Sequence, residues 1–306
     1  MVDLRSKFLG GMVGSALGDA IGEIAFRLPD RERLLGALAR RETLVYTDDT
    51  AMAIGLAESL RERGEIDPAR LGEVFRGNYE REPWRGYAMG PPALFDLVRR
   101  TGVSYTAAAA SLFGGSGSFG NGAAMRIAPL GLFFHRAADL YAQAAASAEV
   151  THAHPIGVDG AAVLARAVAR AVREDPGAGI RPAEWARDLA AFARTEEMRE
   201  RLGLIPALLE EDHPPGEAAR RLGRGIEAHL SAPYAVYAFL RRPDAFEECL
   251  LGAVLHGGDR DTLGAMACGI SGAYLGVEAI PEEWRGKLEN LAIIEELAEA
   301  LLARSA

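Results

Sequence analysis

The chemistry in this chain concentrates at Tyr46-Thr47-Asp48-Asp49-Thr50, where two adjacent carboxylates sit between hydroxyls. Met52, Leu56 and Leu60 follow at a spacing of four, the mark of one helix face, so the run falls at a helix N-terminus. A helix start accounts for one Thr or Asp as a cap. It does not account for four such residues in succession. A related run, Gly257-Gly258-Asp259-Arg260-Asp261-Thr262, opens a second helical pattern carried by Leu263, Met266, Ile270 and Tyr274. Hard divalent cations ask for several oxygen ligands, some of them anionic. Two Asp/Thr clusters, each at a helix start, therefore predict a site for two divalent cations where the clusters meet.

Other segments must position that site. Gly10, Gly14, Gly18 and Gly22 are four apart and share one helix face. Each costs roughly 1 kcal/mol relative to Ala in a helix. A helix that keeps four of them gains close approach, either to a neighbouring helix or to a ligand. Asp19 and Glu23, one turn apart near its end, either reach the cation site or face solvent. The glycine-dense stretch 114–122 is either a flexible linker or a cradle whose N–H groups meet phosphate oxygens. The apolar segment that follows it, 123–130, is compatible with the cradle. Gly-Lys-Ser/Thr is absent and no strand pattern precedes the stretch, so neither a P-loop nor a dinucleotide fingerprint is present. Two of the six histidines lie in Thr151-His152-Ala153-His154-Pro155. They serve either as caps and loop hydrogen-bonders or as substrate contacts, since zinc would need a third soft ligand nearby. Trp84 and Tyr87 sit in a Gly/Pro-rich loop, 82–92, and either line a pocket or anchor the loop.

With 306 residues and 49% apolar content, the chain can bury a sizeable core. A net charge of -9 argues against nonspecific binding to nucleic acid or an anionic membrane. Cys249 and Cys268 fall in helical patterns without metal-ligand spacing, which predicts buried free thiols. The N-terminal apolar run contains Asp19 and is too short to span a membrane, and no cleavable signal pattern is seen, so a cytoplasmic protein is expected. Helical periodicity marks 8–22, 51–63, 68–79, 92–100, 137–148, 158–173, 183–194, 216–228, 234–241, 245–256 and 290–303. Alternation of Val, Ile and Thr is nearly absent and no linker interrupts the chain. An all-α, single-domain monomer over residues 1–306 is the expectation.

Six stretches together resemble the ADP-ribosylglycohydrolase family, in the family's order. They are 14–22 (Gly-Ser-Ala-Leu-Gly-Asp-Ala-Ile-Gly), 46–50, 120–130 (Gly-Asn-Gly-Ala-Ala-Met-Arg-Ile-Ala-Pro-Leu), Thr151-His152, 232–240 (Ala-Pro-Tyr-Ala-Val-Tyr-Ala-Phe-Leu) and 257–262. The resemblance implies an orthogonally packed all-α fold with a binuclear Mg2+ or Mn2+ centre. It implies Thr47, Asp48, Asp49, Asp259, Asp261 and Thr262 as metal ligands. It also implies Phe119, Gly120, Asn121, Gly122, Met125 and His152 as ADP-ribose contacts. The substrate would be an ADP-ribosylated protein or a small ADP-ribosyl conjugate, with Asp48 and Asp261 central to catalysis. Arg126 and the backbone N–H groups of 114–122 are the local donors for an anionic pyrophosphate.

The chain departs from the family pattern twice. A glutamate that members often carry seven residues after the aspartate matching Asp19 is here Phe26, which leaves Glu23 as the nearest carboxylate for an acid/base role. The residue between the late aspartates, commonly small, is Arg260, expected to point away from the cations toward a carboxylate or the substrate. Two other readings compete: a protein that binds ADP-ribose without cleaving it, and a metal-dependent hydrolase of another nucleotide or phosphoester.

Overall fold

A computed structural model describes residues 2–211 and 213–305, and its architecture is all-α. The glycine stripe of the first helix, Leu4–Ala25, is answered by the helix Arg260–Leu275. The two run antiparallel: Gly10 faces Gly272, Gly14 faces Cys268, Gly18 faces Gly264 and Gly22 faces Arg260. A Cβ on Gly18 would stand 2.1 Å from the Gly264 carbonyl oxygen, and one on Gly10 would stand 2.2 Å from that of Gly272. The stripe thus gains approach to a helix, backbone against backbone. The contact sets a register that brings Asp19, near the end of one helix, to Asp261, at the start of the other.

That register gives a stability prediction. Gly18→Ala pushes a methyl into two backbones, and overpacking costs about 1–3 kcal/mol. A fall in the urea midpoint is expected. Gly36→Ala is the control: its Cβ would meet nothing nearer than 3.5 Å, in the helix Arg31–Arg40. That change should stabilise by up to about 1 kcal/mol.

Around this pair the remaining helices bury a core that includes Trp185, Tyr234, Tyr237, Phe8, Phe75 and Phe239. Buried hydroxyls find partners, as in Tyr234, whose OH donates to the Gly252 carbonyl at 2.7 Å. Lys7 is also buried. Its ammonium donates to the carbonyls of Ala171 and Val172 at 3.2 and 3.1 Å, closing the C-terminal turn of Pro155–Arg173. Cys249 and Cys268 are buried free thiols, as expected. Among the described residues there is no strand, only two isolated bridges, Leu44–Leu288 and Gly120–Glu227. No described helix is long and apolar enough to cross a membrane.

One expected helix is broken. The 216–228 pattern is a helix only over Pro215–Leu222. Gly223 then takes φ +96°, and the next helix, Ala228–Arg241, begins after an irregular turn. The interruption has a structural use: Ile226 accepts from the Asn121 N–H and Ala228 donates to the Phe119 carbonyl, so 224–228 lies along the glycine-rich stretch. Further helices lie where periodicity marks none, among them Arg31–Arg40, Tyr105–Gly115 and Glu196–Gly203.

Candidate active site

Thr47 caps the helix Asp48–Arg63, as its sequence position predicts, with the Asp49 N–H donating to its Oγ1 at 3.4 Å. A second cap comes from another helix. Asp19, fully buried, accepts the Thr47 and Thr50 N–H groups at about 3.0 Å. It also accepts the Thr47 and Thr50 hydroxyls at 2.8 and 2.6 Å. Of the two readings of Asp19, solvated or at the cation site, burial excludes the first. Its carboxylate locks the Asp48–Arg63 helix onto Leu4–Ala25. From the other side the Asp48 N–H donates to the Arg85 carbonyl at 2.8 Å. The Arg85 guanidinium donates to the Tyr46 carbonyl at 2.9 Å and pairs with Glu82 and Glu289. The backbone carrying Asp48 and Asp49 is held at both flanks.

Asp48, Asp49, Asp259, Asp261 and Thr262 line one cavity of about 430 Å³. Front and back of the chain therefore converge. Burial, then repulsion from Asp19 and Asp259, pushes Asp48 up to about 7. Burial, then Asp259 and Asp19, pushes Asp261 up to about 8. Asp49 rises well above the carboxylate range through burial and repulsion from Asp19 and Asp261. Burial also raises Asp19, to about 6, with its four Thr hydrogen bonds opposing the rise. One Asp49 oxygen, Oδ2, is buried without a hydrogen-bond partner. Opposite this excess of negative charge stands the Arg126 guanidinium. Crowded carboxylates with an orphaned oxygen and hydroxyls beside them are the donor set of a hard divalent cation, so the residues fit such an ion. Among the described residues, however, no three His, Cys, Asp or Glu side chains already form a group arranged to hold a metal.

The rest of the cavity is built from the glycine-rich stretch. The Tyr105–Gly115 helix bends at Leu112–Gly114, where Phe113 adopts φ +52° and turns toward the cavity. Gly117, at φ +70°, lies so close to the 153–154 backbone that a Cβ would stand 2.7 Å from the His154 nitrogen. The stretch is thus an anchored loop and not a linker. Its Gly117, Gly120 and Asn121 N–H groups are used internally, by Leu112 O, Ser118 Oγ and Ile226 O. Those of Ser118 and Phe119 have no hydrogen-bond partner among the described residues. Phe119, Gly120, Asn121, Gly122, Met125 and His152 all line the cavity. The Asn121 side-chain amide donates to Asp259 Oδ2 at 2.7 Å, tying the loop to the late aspartates.

Arg126 is fully buried. It donates to Gly122 O at 3.0 Å and to Thr151 Oγ1 at 2.7 Å, and it lies over the Phe75 ring at 4.5 Å. Thr151 Oγ1 is 2.7 Å from His152 Nδ1. The tautomer in which the Thr151 hydroxyl donates to Nδ1 is the one that carries an N–H at Nε2. Burial, then the Arg126 charge, pushes His152 down to about 3, so the ring is neutral. The neutral ring lines the cavity beside Gly120 and Gly122. On the expectation that His152 contacts substrate, His152→Ala removes one hydrogen bond, worth about 1 kcal/mol. A rise in KM of roughly 3- to 10-fold, with kcat changed less, is expected in steady-state kinetics.

Some predicted residues fall elsewhere. Thr47 and Glu23 line a neighbouring depression, not this cavity, although Asp48 and Asp261 border both. Glu23 is exposed. Arg260 does point away from the aspartates, but its partner is the Val254 carbonyl and not a carboxylate or substrate. Of the two loop aromatics, Trp84 lines the depression, whereas Tyr87 packs edge-on against Tyr79 at 5.1 Å. His154 serves as a cap, accepting from Ile156 N at 3.2 Å. Phe113, Ile226 and Glu227 line the cavity without having stood out in the sequence. A helix predicted over 216–228 hid the last two.

Fold and site together define an all-helical protein with an acidic cavity roofed by a glycine-rich loop. The chain belongs to the ADP-ribosylglycohydrolase family, whose model matches residues 1–306. Among its relatives is ADP-ribosylhydrolase ARH3 of Bos taurus, 33% identical, with the alignment covering 97% of this chain and 92% of that protein. Another is the ADP-ribosyl-[dinitrogen reductase] glycohydrolase of Rhodospirillum rubrum, 30% identical, over 94% and 91% of the two chains. A solved structure described as an ADP-ribosylglycohydrolase-related protein complex superposes with a TM-score of 0.76 at 28% identity, over 99% of both chains. Family membership supports hydrolysis that releases ADP-ribose.

Proposed function

We propose that residues 1–306 form one domain acting as a divalent-cation-dependent hydrolase. It removes ADP-ribose from a modified protein side chain or a small ADP-ribosyl conjugate, with water attacking the distal ribose C1. The observation that carries this reading is the convergence of Asp48, Asp49, Asp259 and Asp261 on one cavity that the glycine-rich loop also lines. Thr47, Asp48, Asp49, Asp259, Asp261 and Thr262 are the residues that would hold two cations, Mg2+ or Mn2+. When bound, such ions supply Lewis-acid grip on ribose hydroxyls and a lowered pKa for water.

The chain's own groups do the rest. Phe113 and Phe119 offer aromatic faces at the cavity mouth for a flat base. The Ser118 and Phe119 N–H groups suit pyrophosphate oxygens. His152 donates from Nε2 to the sugar or phosphate. Carboxylates left unmatched by cations stabilise the oxocarbenium-like charge that develops at C1. Glu23, beside Asp48 and Asp261 in the neighbouring depression, is the candidate acid/base on the leaving-group side. Because the whole chain is acidic, capture of an anionic substrate depends on these local donors and not on long-range steering.

The test is a turnover panel of ADP-ribosyl-arginine, ADP-ribosyl-serine and O-acetyl-ADP-ribose, with and without chelator. Chelator-sensitive release of free ADP-ribose from at least one conjugate is expected. Tight binding without release identifies a reader instead, and release of AMP or phosphate identifies a different hydrolase.

A further inference from the structure

The depression beside the cavity, about 610 Å³, has Asp48, Gly86 and Asp261 in common with it. On the hydrolase reading above, on which this inference rests, C1 is held at that shared wall. The ADP-ribose body fills the first cavity, so the group attached to C1 extends into the second. Gly86, at φ +94°, borders both spaces, 3.7 Å from Asp48 Oδ1 as measured from the position of a Cβ.

The depression is dressed for something larger than a small leaving group. Trp84 is 73% exposed and Val45 is 54% exposed, and both line it. Arg27 and Arg41 line it too, and both are exposed. Acidic side chains outnumber basic ones by 43 to 34 in this chain. Other surface arginines take advantage, such as Arg31 with Glu248, Arg70 with Glu62 and Arg99 with Asp96. Neither Arg27 nor Arg41 has an ion-pair partner among the described residues, although Glu23 lines the same depression.

We propose that this depression is an acceptor groove for a polypeptide. Arg27 and Arg41 read acidic residues beside the modified side chain, and Trp84 with Val45 holds an apolar one. Guanidinium forks match carboxylates bidentately, and tryptophan is enriched among the residues that anchor interfaces. A nucleic-acid end would offer phosphates to the same arginines. Arg27, Arg41 and Arg85 alternating with Glu23, Asp48 and Asp261, beside an indole and a valine, make an amphipathic surface, not a basic track.

The experiment uses the full chain and peptides ADP-ribosylated on serine or on arginine, each made with glutamate or with lysine on both sides of the modified residue. O-acetyl-ADP-ribose and an oligonucleotide ADP-ribosylated on its terminal phosphate complete the set. At low salt, kcat/KM for the glutamate-flanked peptide should exceed that for its lysine-flanked twin by about tenfold, and the gap should shrink as salt rises. The double variant Arg27→Glu/Arg41→Glu should reverse the preference. Trp84→Ala should lower the ratio of peptide to O-acetyl-ADP-ribose turnover by about tenfold, through KM. Equal turnover of the twins, a preference that survives the double variant, or faster turnover of the oligonucleotide overturns the groove assignment alone. Release of ADP-ribose from none of the conjugates overturns the hydrolase reading, and this assignment with it.

Discussion

Asp48→Ala and Asp261→Asn each lose more than about 100-fold in ADP-ribose release, measured in single turnover with excess Mg2+ or Mn2+. Changes to groups one step behind a metal ligand already cost 10- to 100-fold, and these two aspartates border both the cavity and the depression beside it. The same substitutions should not harm the cation-free fold. Asp261 is pushed up to about 8 by burial and by its neighbours Asp259 and Asp19, so it is a source of repulsion there. Removing its charge relieves that repulsion, and the chelated Asp261→Asn protein should melt at or above the wild type at pH 8. Loss of activity with gain of stability is the signature of a functional group kept at a cost to the fold. Near-wild-type release in both variants removes the cation proposal.

Stability should also depend on pH in a direction opposite to that of most carboxylates. Asp19, Asp48 and Asp261 rise to about 6, 7 and 8, above the ordinary aspartate value of 3.8 that serves for the unfolded chain. The folded state therefore holds more protons than the unfolded one between these values. The stability this confers is fully present below about pH 4 and is lost as pH rises through 6 to 8. The groups titrate as a coupled set, and the loss is on the order of a few kcal/mol. A melting temperature lower by roughly 5 °C or more is expected for the chelated protein at pH 8 than at pH 5.5. A divalent cation at about 100 times its Kd restores about 2.7 kcal/mol, with a larger effect at pH 8 than at pH 5.5. Differential scanning fluorimetry across that range, with EDTA or with Mn2+, reads both effects. A cation effect that is absent, or largest at low pH, goes against the proposal.

What the sequence disclosed follows from what a linear pattern can carry. The Asp/Thr runs were legible because they pair an unusual composition with a helix start, and a helix start fixes where side chains point. The glycine stripe was legible because a four-residue spacing survives as one face, although its partner was not named: Gly264 and Gly272 look ordinary until they meet Gly18 and Gly10. The loop 114–122 read either as a linker or as an anion cradle, and only the fold anchors it and distinguishes its committed N–H groups from the unpartnered ones. The 224–228 turn was hidden because Gly223 interrupts an otherwise helical pattern, and its use, lying along the loop, is purely tertiary. Phe113 was missed for a related reason: a positive φ on a phenylalanine has no signal in composition. Asp19 shows the general limit. Its neighbours in sequence left it either solvated or at the cation site, and its burial with four hydrogen bonds to Thr47 and Thr50 excludes solvent.

Crystals grown with Mn2+ and measured at its absorption edge give the most direct reading. Two anomalous peaks are expected between the starts of the Asp48–Arg63 and Arg260–Leu275 helices, within coordinating distance of Asp48, Asp49, Asp259 and Asp261. Peaks confined to the molecular surface, or none near Asp48 and Asp261 at saturating Mn2+, would contradict a cation site at the heart of this cavity.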